Sequence, residues 1–221
     1  MTSTPRQFSA PGMAMRTASI LFVFVIIFTA LLSAVYQWTR PAIEASALAE
    51  KMKLLNEVLP AAEYDNDLLS DTLTLPPTLE LGLKESTTLY RARKSGQPAA
   101  LVFEAAAPDG YAGRIKLLIA IRADGSVAGV RVTQHKETPG LGDYIEPKKD
   151  KNKERPWIEQ FTGLSLLSTP AKDWRVRKDG GKIDYYAGAT VSPRAIAKAV
   201  HNAVLWTDIR REQLFSEGIT P

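Results

Sequence analysis

Thr190 is the residue whose setting most invites chemistry. It stands in "DYYAGATVSPRAIAKAV", residues 184–200, framed by Gly188 and Ala189 and followed by Ser192 and Pro193. Serine is a good helix N-cap and proline is favoured at the first helical position, so a helix is expected to open at Ser192 and Pro193. The first N–H groups of a helix lack internal acceptors and carry the positive end of its dipole, which receives anions and phosphates in particular. Gly188 and Ala189 let a bulky group come close to the backbone. The expected picture is a hydroxyl beside a phosphate cradle, reached by a strand. The plain alternative is a tight strand-to-helix turn without a ligand, and the residues by themselves leave both open.

Other chemistries find little footing. There is no G-x-S-x-G elbow and no N-terminal threonine. "RKDGGK", residues 177–182, lacks the spacing of a phosphate-binding Walker loop and does not open a helix. The absence of cysteine removes disulfides, thiolate zinc sites and cysteine-ligated iron–sulfur clusters, and it fits an oxidising compartment. His135 and His201 are the only histidines, so no metal site is expected. The formal charge of +4 is small and the two signs are interspersed, so no nucleic-acid partner is expected.

The elements that must position Thr190 follow from periodicity. "TASILFVFVIIFTALLSAVYQW", residues 17–38, carries no charge. About 20 such residues suffice to cross the hydrocarbon layer, and Tyr36 and Trp38 suit its interface. Arg6 and Arg16 precede it with no acid, which puts the N-terminus in the cytoplasm and the rest beyond the membrane. A cleaved signal peptide is the other reading of such a run. Pro41 is expected to open a second helix, with Leu48, Met52, Leu55 and Leu59 at helical spacing, standing at the membrane surface, packed on the domain and closed by Pro60. Residues 61–87 read as a loop with one weak strand. "TLYRARK", "AALVFEA", "GRIKLLIAIR" and "SVAGVRVTQ" alternate with period two and are parted by turn residues, an antiparallel meander. A long loop follows, and its part at residues 148–155 is highly charged, a solvated loop or a partner-docking patch. "WIEQFTGLSLL" holds a short helix, "DGG" turns a hairpin between "DWRVRK" and "GKIDYYA", and a last helix runs from Pro193 toward Phe215. The fold class is α+β: a single N-terminal transmembrane helix, then one domain with a mainly antiparallel sheet packed by helices. The boundaries are a tail at 1–16, the membrane helix at 17–38, a juxtamembrane helix and loop at 39–87, the domain at 88–215 and a tail at 216–221.

Two motifs carry a family resemblance. "DYYAGATVS" resembles the flavinylation motif D-x-x-[ST]-G-A-T-x-[ST] of the FMN-binding domain of bacterial respiratory complexes, matching at Asp184, Gly188, Ala189 and Thr190. It departs at Ala187, where serine or threonine is commoner, and leaves the acceptor hydroxyl in place. "DGYAGRIKLLIAIRADGSVAGVRVTQHKETPGLG" is similar to the family's strand–turn–strand segment and its H-x-E-T-P-G-x-G loop, matching at His135, Glu137, Thr138, Pro139, Gly140 and Gly142. With one anchor and this length, the chain resembles the G subunits of Rnf (Rsx) electron-transport complexes.

That resemblance implies FMN joined through its phosphate to the Thr190 hydroxyl, placed there by a flavin transferase that uses FAD. It implies a pocket formed by Gly188, Ala189, Ser192, Glu137, Thr138 and Leu141, with Thr138 at the ring's polar edge and Leu141 at its face. His135 is given only a capping role in its loop, and no residue is catalytic. It implies a bacterial inner-membrane location with the domain in the periplasm, and other subunits that pass electrons between ferredoxin and NAD while ions cross the membrane. Three alternatives stay open: the C-type flavin subunit of the sodium-pumping NADH:quinone oxidoreductase, an anchored assembly factor with a vestigial flavin site, and an extracytoplasmic flavin reductase that acts alone.

Overall fold

A computed structural model describes residues 10–216. Arg6, the first part of the expected 1–16 tail and residues 217–221 lie outside the described residues. The chain divides into two compact units, Met1–Met52 and Lys53–Pro221.

The first unit is helical throughout its described part. Helix α1 runs Ala10–Val58, so residues 10–16 are helical rather than tail. Its run from Ile20 to Trp38 leaves every large apolar side chain exposed, and Phe24 stacks on Phe28 with centroids 5.8 Å apart. Among the described residues this is the one helix long and apolar enough to cross a membrane. The 22 residues at 17–38 extend about 33 Å at 1.5 Å per residue, close to the roughly 30 Å of hydrocarbon.

Pro41 does not open a second helix; it lies inside α1. Proline removes one backbone hydrogen bond, the one that would reach the Gln37 carbonyl, yet the helix continues through it, with two local contacts beside it. Thr39 Oγ1 donates to the Val35 carbonyl at 2.9 Å, and Arg40 Nε pairs with Glu44 Oε1 at 2.7 Å.

The second unit is built on a five-stranded antiparallel meander in chain order. Its strands are β1 (Thr72–Leu75), β2 (Thr87–Lys94), β3 (Gln97–Gly110), β4 (Gly113–Arg122) and β5 (Val127–Gln134). The alternation of β4 sorts its side chains by face: Ile115, Leu117, Ile119 and Ile121 enter the main core. Helix α2 (Val191–Phe215) covers that face, and Trp206 lies 5.6 Å from the ring of fully buried Phe103 on β3. The last turn of α1 meets the sheet at Gly129, where a Cβ would come within 2.5 Å of the Val58 carbonyl oxygen. Glu63, just beyond that helix, is gripped by Arg122 of β4 at 2.7 and 2.8 Å.

Between β5 and α2 the chain is irregular. Short 3₁₀ turns occur at Asp143–Ile145, Trp157–Phe161, Ala171–Trp174 and Arg177–Asp179. The hairpin expected around "DGG" is absent among the described residues: only a single parallel bridge joins Val176 to Ile183. Trp174 and Val176 are buried on either side of exposed Arg175, which imitates a strand in sequence. Gly180 closes the turn at φ +82, a left-handed geometry that glycine adopts without strain.

Candidate functional site

Two loops from distant parts of the sequence meet at the start of α2. One is the His135–Gly142 stretch after β5, and the other is the stretch that leads into Thr190. Between them lies a cleft, open on one side, of about 450 Å³ with its mouth included. All seven expected site residues line it: Glu137, Thr138, Leu141, Gly188, Ala189, Thr190 and Ser192. Tyr111, from the β3–β4 turn, lines it as well and is 70 % exposed.

The helix starts earlier than its serine and proline suggest. Thr190, not Ser192, is the N-cap, and Pro193 is the third helical residue. The first intrahelical bond runs from the Arg194 N–H to the Thr190 carbonyl at 3.2 Å. The N–H groups of Thr190, Val191 and Ser192 therefore precede the helical ladder, and Pro193 has none. The Thr190 side chain makes no capping hydrogen bond and is half-exposed in the cleft. Nor does a strand lead to it: Tyr186 and Ala189 form only an isolated bridge.

Ser192 does not cap the helix: its oxygen accepts from the Tyr111 N–H at 3.4 Å. The Ser192 hydroxyl donates to Glu137 Oε2 at 2.6 Å, across 55 residues of sequence. Glu137 is 5 % exposed, and the Ala112 N–H donates to its other oxygen at 3.2 Å. These two residues join the loop, the β3–β4 turn and the helix start. His135 completes the loop: its Nδ1 accepts from the Glu137 N–H at 3.0 Å, leaving Nε2 to face Glu146 at 3.1 Å. Thr138 is exposed, and its carbonyl accepts from the Leu141 and Gly142 N–H groups at 3.1 and 3.0 Å.

Leu141 reaches over the other loop. A Cβ at Gly188 would lie 3.6 Å from Leu141 Cδ1, and Gly188 has φ +87. Glycine there allows both the left-handed turn and an open floor beside Thr190.

An aromatic bracket, missed by sequence reasoning, holds the loop before Thr190. Tyr144 donates to the Ala189 carbonyl at 2.9 Å and accepts from the Tyr186 N–H at 3.2 Å. The Tyr144 and Tyr186 rings lie 4.2 Å apart, and Trp157 meets Tyr144 edge-on at 5.7 Å. Tyr186 donates to buried Asp150 at 2.6 Å. Asp184, first residue of the flavinylation-like motif, gives its backbone to Trp157 and Gln160 while its carboxylate pairs with Arg177 at the surface. Tyr186 was legible only as a variable position of the motif, and Asp150 only as one charge in a charged run.

Both tyrosines resist ionisation. Burial pushes Tyr144 up to about 12, and the hydrogen bond to Asp150, with burial, pushes Tyr186 up to about 12. A phenol whose folded pKa lies above its unfolded value of about 10 favours the folded state below that value and loses the contribution as pH rises through 10 to 12. Ultraviolet titration of the folded chain is expected to leave two of its seven tyrosines un-ionised until near pH 12. In Asp150→Asn the Tyr186 titration moves down toward pH 10.

The arrangement fits FMN on one structural observation above all. A hydroxyl free of its own helix stands at the positive end of that helix, where a phosphate ester's remaining negative charge is favoured. The cleft beside it has an apolar wall in Leu141, an aromatic flank in Tyr111 and an open side for a group larger than a phosphate.

Comparison with known proteins adds identity to this geometry. Residues 110–205 match the FMN-binding domain family, and residues 13–58 match the RnfG N-terminal region. The G subunit of the ion-translocating oxidoreductase complex of Pseudomonas aeruginosa (strain UCBPP-PA14) is 43 % identical over 203 residues, covering 91 % of this chain and 92 % of that one. The chain belongs to the family of G subunits of ion-translocating oxidoreductase complexes. The G subunits of Shewanella baltica and Pseudoalteromonas atlantica are 41 % and 39 % identical, each over 89 % of this chain and over 91 % and 89 % of their own lengths. The family's N-terminal region takes in all of α1 from Met13 onward, and its FMN-binding domain runs from the β3–β4 turn into α2. These matches favour the G-subunit reading over the sodium-pumping alternative.

Proposed function

We propose that this chain is the FMN-carrying G subunit of an Rnf-type ion-translocating oxidoreductase complex, held in the membrane by α1. The observation that carries the reading is the meeting of the two flavin-family loops around the free hydroxyl of Thr190. In this reading Thr190 is an attachment point: its oxygen forms the phosphoester to FMN, installed from FAD by a flavin transferase. The exposed Asp184 carboxylate and the open mouth of the cleft leave the attachment segment accessible to that enzyme. Bound flavin supplies the redox chemistry of one relay among flavins and iron–sulfur centres on other subunits, in a complex that passes electrons between ferredoxin and NAD, and the protein sets its place and potential. Glu137 and Ser192 fix the helix start, Leu141 and Tyr111 offer apolar and aromatic walls to the ring, and Thr138 offers a hydroxyl at the rim. The test is to tag the chain and purify it from membranes. The expected result is co-isolation of the other subunits, together with a flavin that bleaches when the complex is reduced. A colourless chain isolated alone would contradict it.

The pocket residues act after attachment. Thr138→Val removes a hydroxyl at constant size, worth about 0.5–1.5 kcal/mol if hydrogen-bonded to the ring. Where that bond favours one redox state, the flavin potential shifts by tens of millivolts, on the order set by two-electron arithmetic. Leu141→Ala exposes the ring to water and shifts its absorption spectrum. Both variants are expected to keep covalent flavin on a denaturing gel. An unchanged potential and spectrum in both would reduce the His135–Gly142 loop to a turn.

Topology follows from charge. With Arg16 before the apolar run and Tyr36 and Trp38 after it, the domain is expected on the periplasmic side. Protease added to spheroplasts should digest it while cytoplasmic markers survive, and full protection would reverse the orientation.

A further inference from the structure

"KKDKNKER", residues 148–155, holds five cations and two acids, so three of the chain's four excess positive charges lie in one short loop. A merely solvated loop needs no internal support, yet this one is latched by a buried carboxylate. Asp150 is 1 % exposed and accepts from the Trp157 N–H at 2.5 Å, the Asn152 N–H at 3.0 Å and the Tyr186 hydroxyl at 2.6 Å. Asn152 Oδ1 in turn accepts from the Arg155 N–H at 3.1 Å. One acid of the loop is thus turned inward, and the face shown to water is basic. Lys148, Lys149, Lys151 and Arg155 are exposed and form no ion pair among the described residues. Lys153 instead tightens the loop, donating to the Lys148 carbonyl at 2.6 Å.

The latch also decides where that charge sits. Tyr186, which Asp150 holds, stands four residues before Thr190, and the Tyr144 ring beside it bonds the Ala189 carbonyl. A fixed cluster of positive charge is therefore tied by two side-chain links to the segment that carries the attachment hydroxyl. Such a field raises the encounter rate with a negatively charged surface and orients it as it arrives.

We propose that residues 148–155 form an electrostatic docking surface for an acidic face of the protein partner that exchanges electrons with the flavin on Thr190. The proposal rests on reading Thr190 as the tether. A protein partner, rather than an anionic lipid surface, is favoured because the latch couples the charge to the cleft segment, where a redox partner must approach.

The test uses the full-length flavinylated chain in detergent, added to complex isolated from cells lacking this subunit. Association and the rate of flavin reduction are followed from low to high salt. Two variants are compared with the natural chain: Lys148→Glu with Lys149→Glu and Lys151→Glu, and the milder triple change of the same lysines to glutamine. At low salt the glutamate variant is expected to associate and be reduced about tenfold more slowly or worse, with the glutamine variant between. All three proteins converge at high salt, and all keep full in-gel flavin fluorescence. Equal rates and equal salt dependence in the three proteins would overturn the proposal. Loss of covalent flavin in the variants would overturn it in favour of a transferase contact. Loss of binding to vesicles of anionic phospholipid, with association to the complex unchanged, would overturn it in favour of the membrane surface. A natural chain that associates but carries no covalent flavin would instead refute the Thr190 tether, while association still reports on the charged loop.

Discussion

Thr190→Val, produced beside the flavin transferase, is expected to give a protein with no fluorescence on a denaturing gel, whereas the natural chain is expected to glow as one band. The effect is all or none, because valine matches threonine in shape and lacks only the oxygen that would form the ester. Folding is expected to survive the change. The Thr190 hydroxyl makes no capping bond and the side chain is half-exposed, so the stability cost stays within about 0.5 kcal/mol. Thr190→Ser keeps the hydroxyl and is expected to retain part of the flavin. Fluorescence that persists in the valine variant would place the flavin on another residue.

Phe103→Ala has the largest expected effect on stability. Phe103 is fully buried at the centre of the sheet, against Trp206 of α2. Removing a buried phenylalanine costs about 3–5 kcal/mol, a large part of the roughly 5–15 kcal/mol that holds a domain folded. The consequence reaches the site because α2, which Phe103 seats on the sheet, starts at Val191, directly after Thr190. Flavin loading in cells should fall with the folded fraction. Urea unfolding of the full chain in detergent measures the loss, and a change below about 1 kcal/mol would mean that α2 is not held by this contact.

What the sequence made legible follows the range of the forces involved. The strands β2 to β5 were readable because period-two alternation and turn residues are local signals, and α2 was readable from Ile196, Val200, Ala203 and Val204. Thr190, Gly188, Ala189 and Ser192 stood out through local signals of a helix start, whereas Glu137, Thr138 and Leu141 were readable only through a family motif, since nothing local says that Leu141 reaches Gly188. Ser192 misled for the same reason. Next to a proline it has every local mark of an N-cap, and the groups that engage its hydroxyl, Glu137 and the Tyr111 N–H, are far away in sequence. Pro41 misled because a break is the local rule, while α1 continues through it into the helix formers on both sides. Residues 173–187 imitate a hairpin because Trp174 and Val176 are buried on either side of exposed Arg175, yet Gly181 lies against the Arg175 carbonyl and a 3₁₀ turn takes the place of paired strands. The bracket of Tyr144, Tyr186 and Asp150 gave no local signal at all, because a buried aspartate inside a run of lysines looks like one more surface charge.

The tether at Thr190 is tested most directly by the mass of the intact chain made with and without the flavin transferase. Trypsin should release residues 183–194 as one peptide, cut after Lys182 and after Arg194. The expected result is a mass increase of one FMN less one water, found on that peptide and only when the transferase is present. An unmodified mass in both preparations, or the same increase on a different peptide, would contradict the attachment at Thr190.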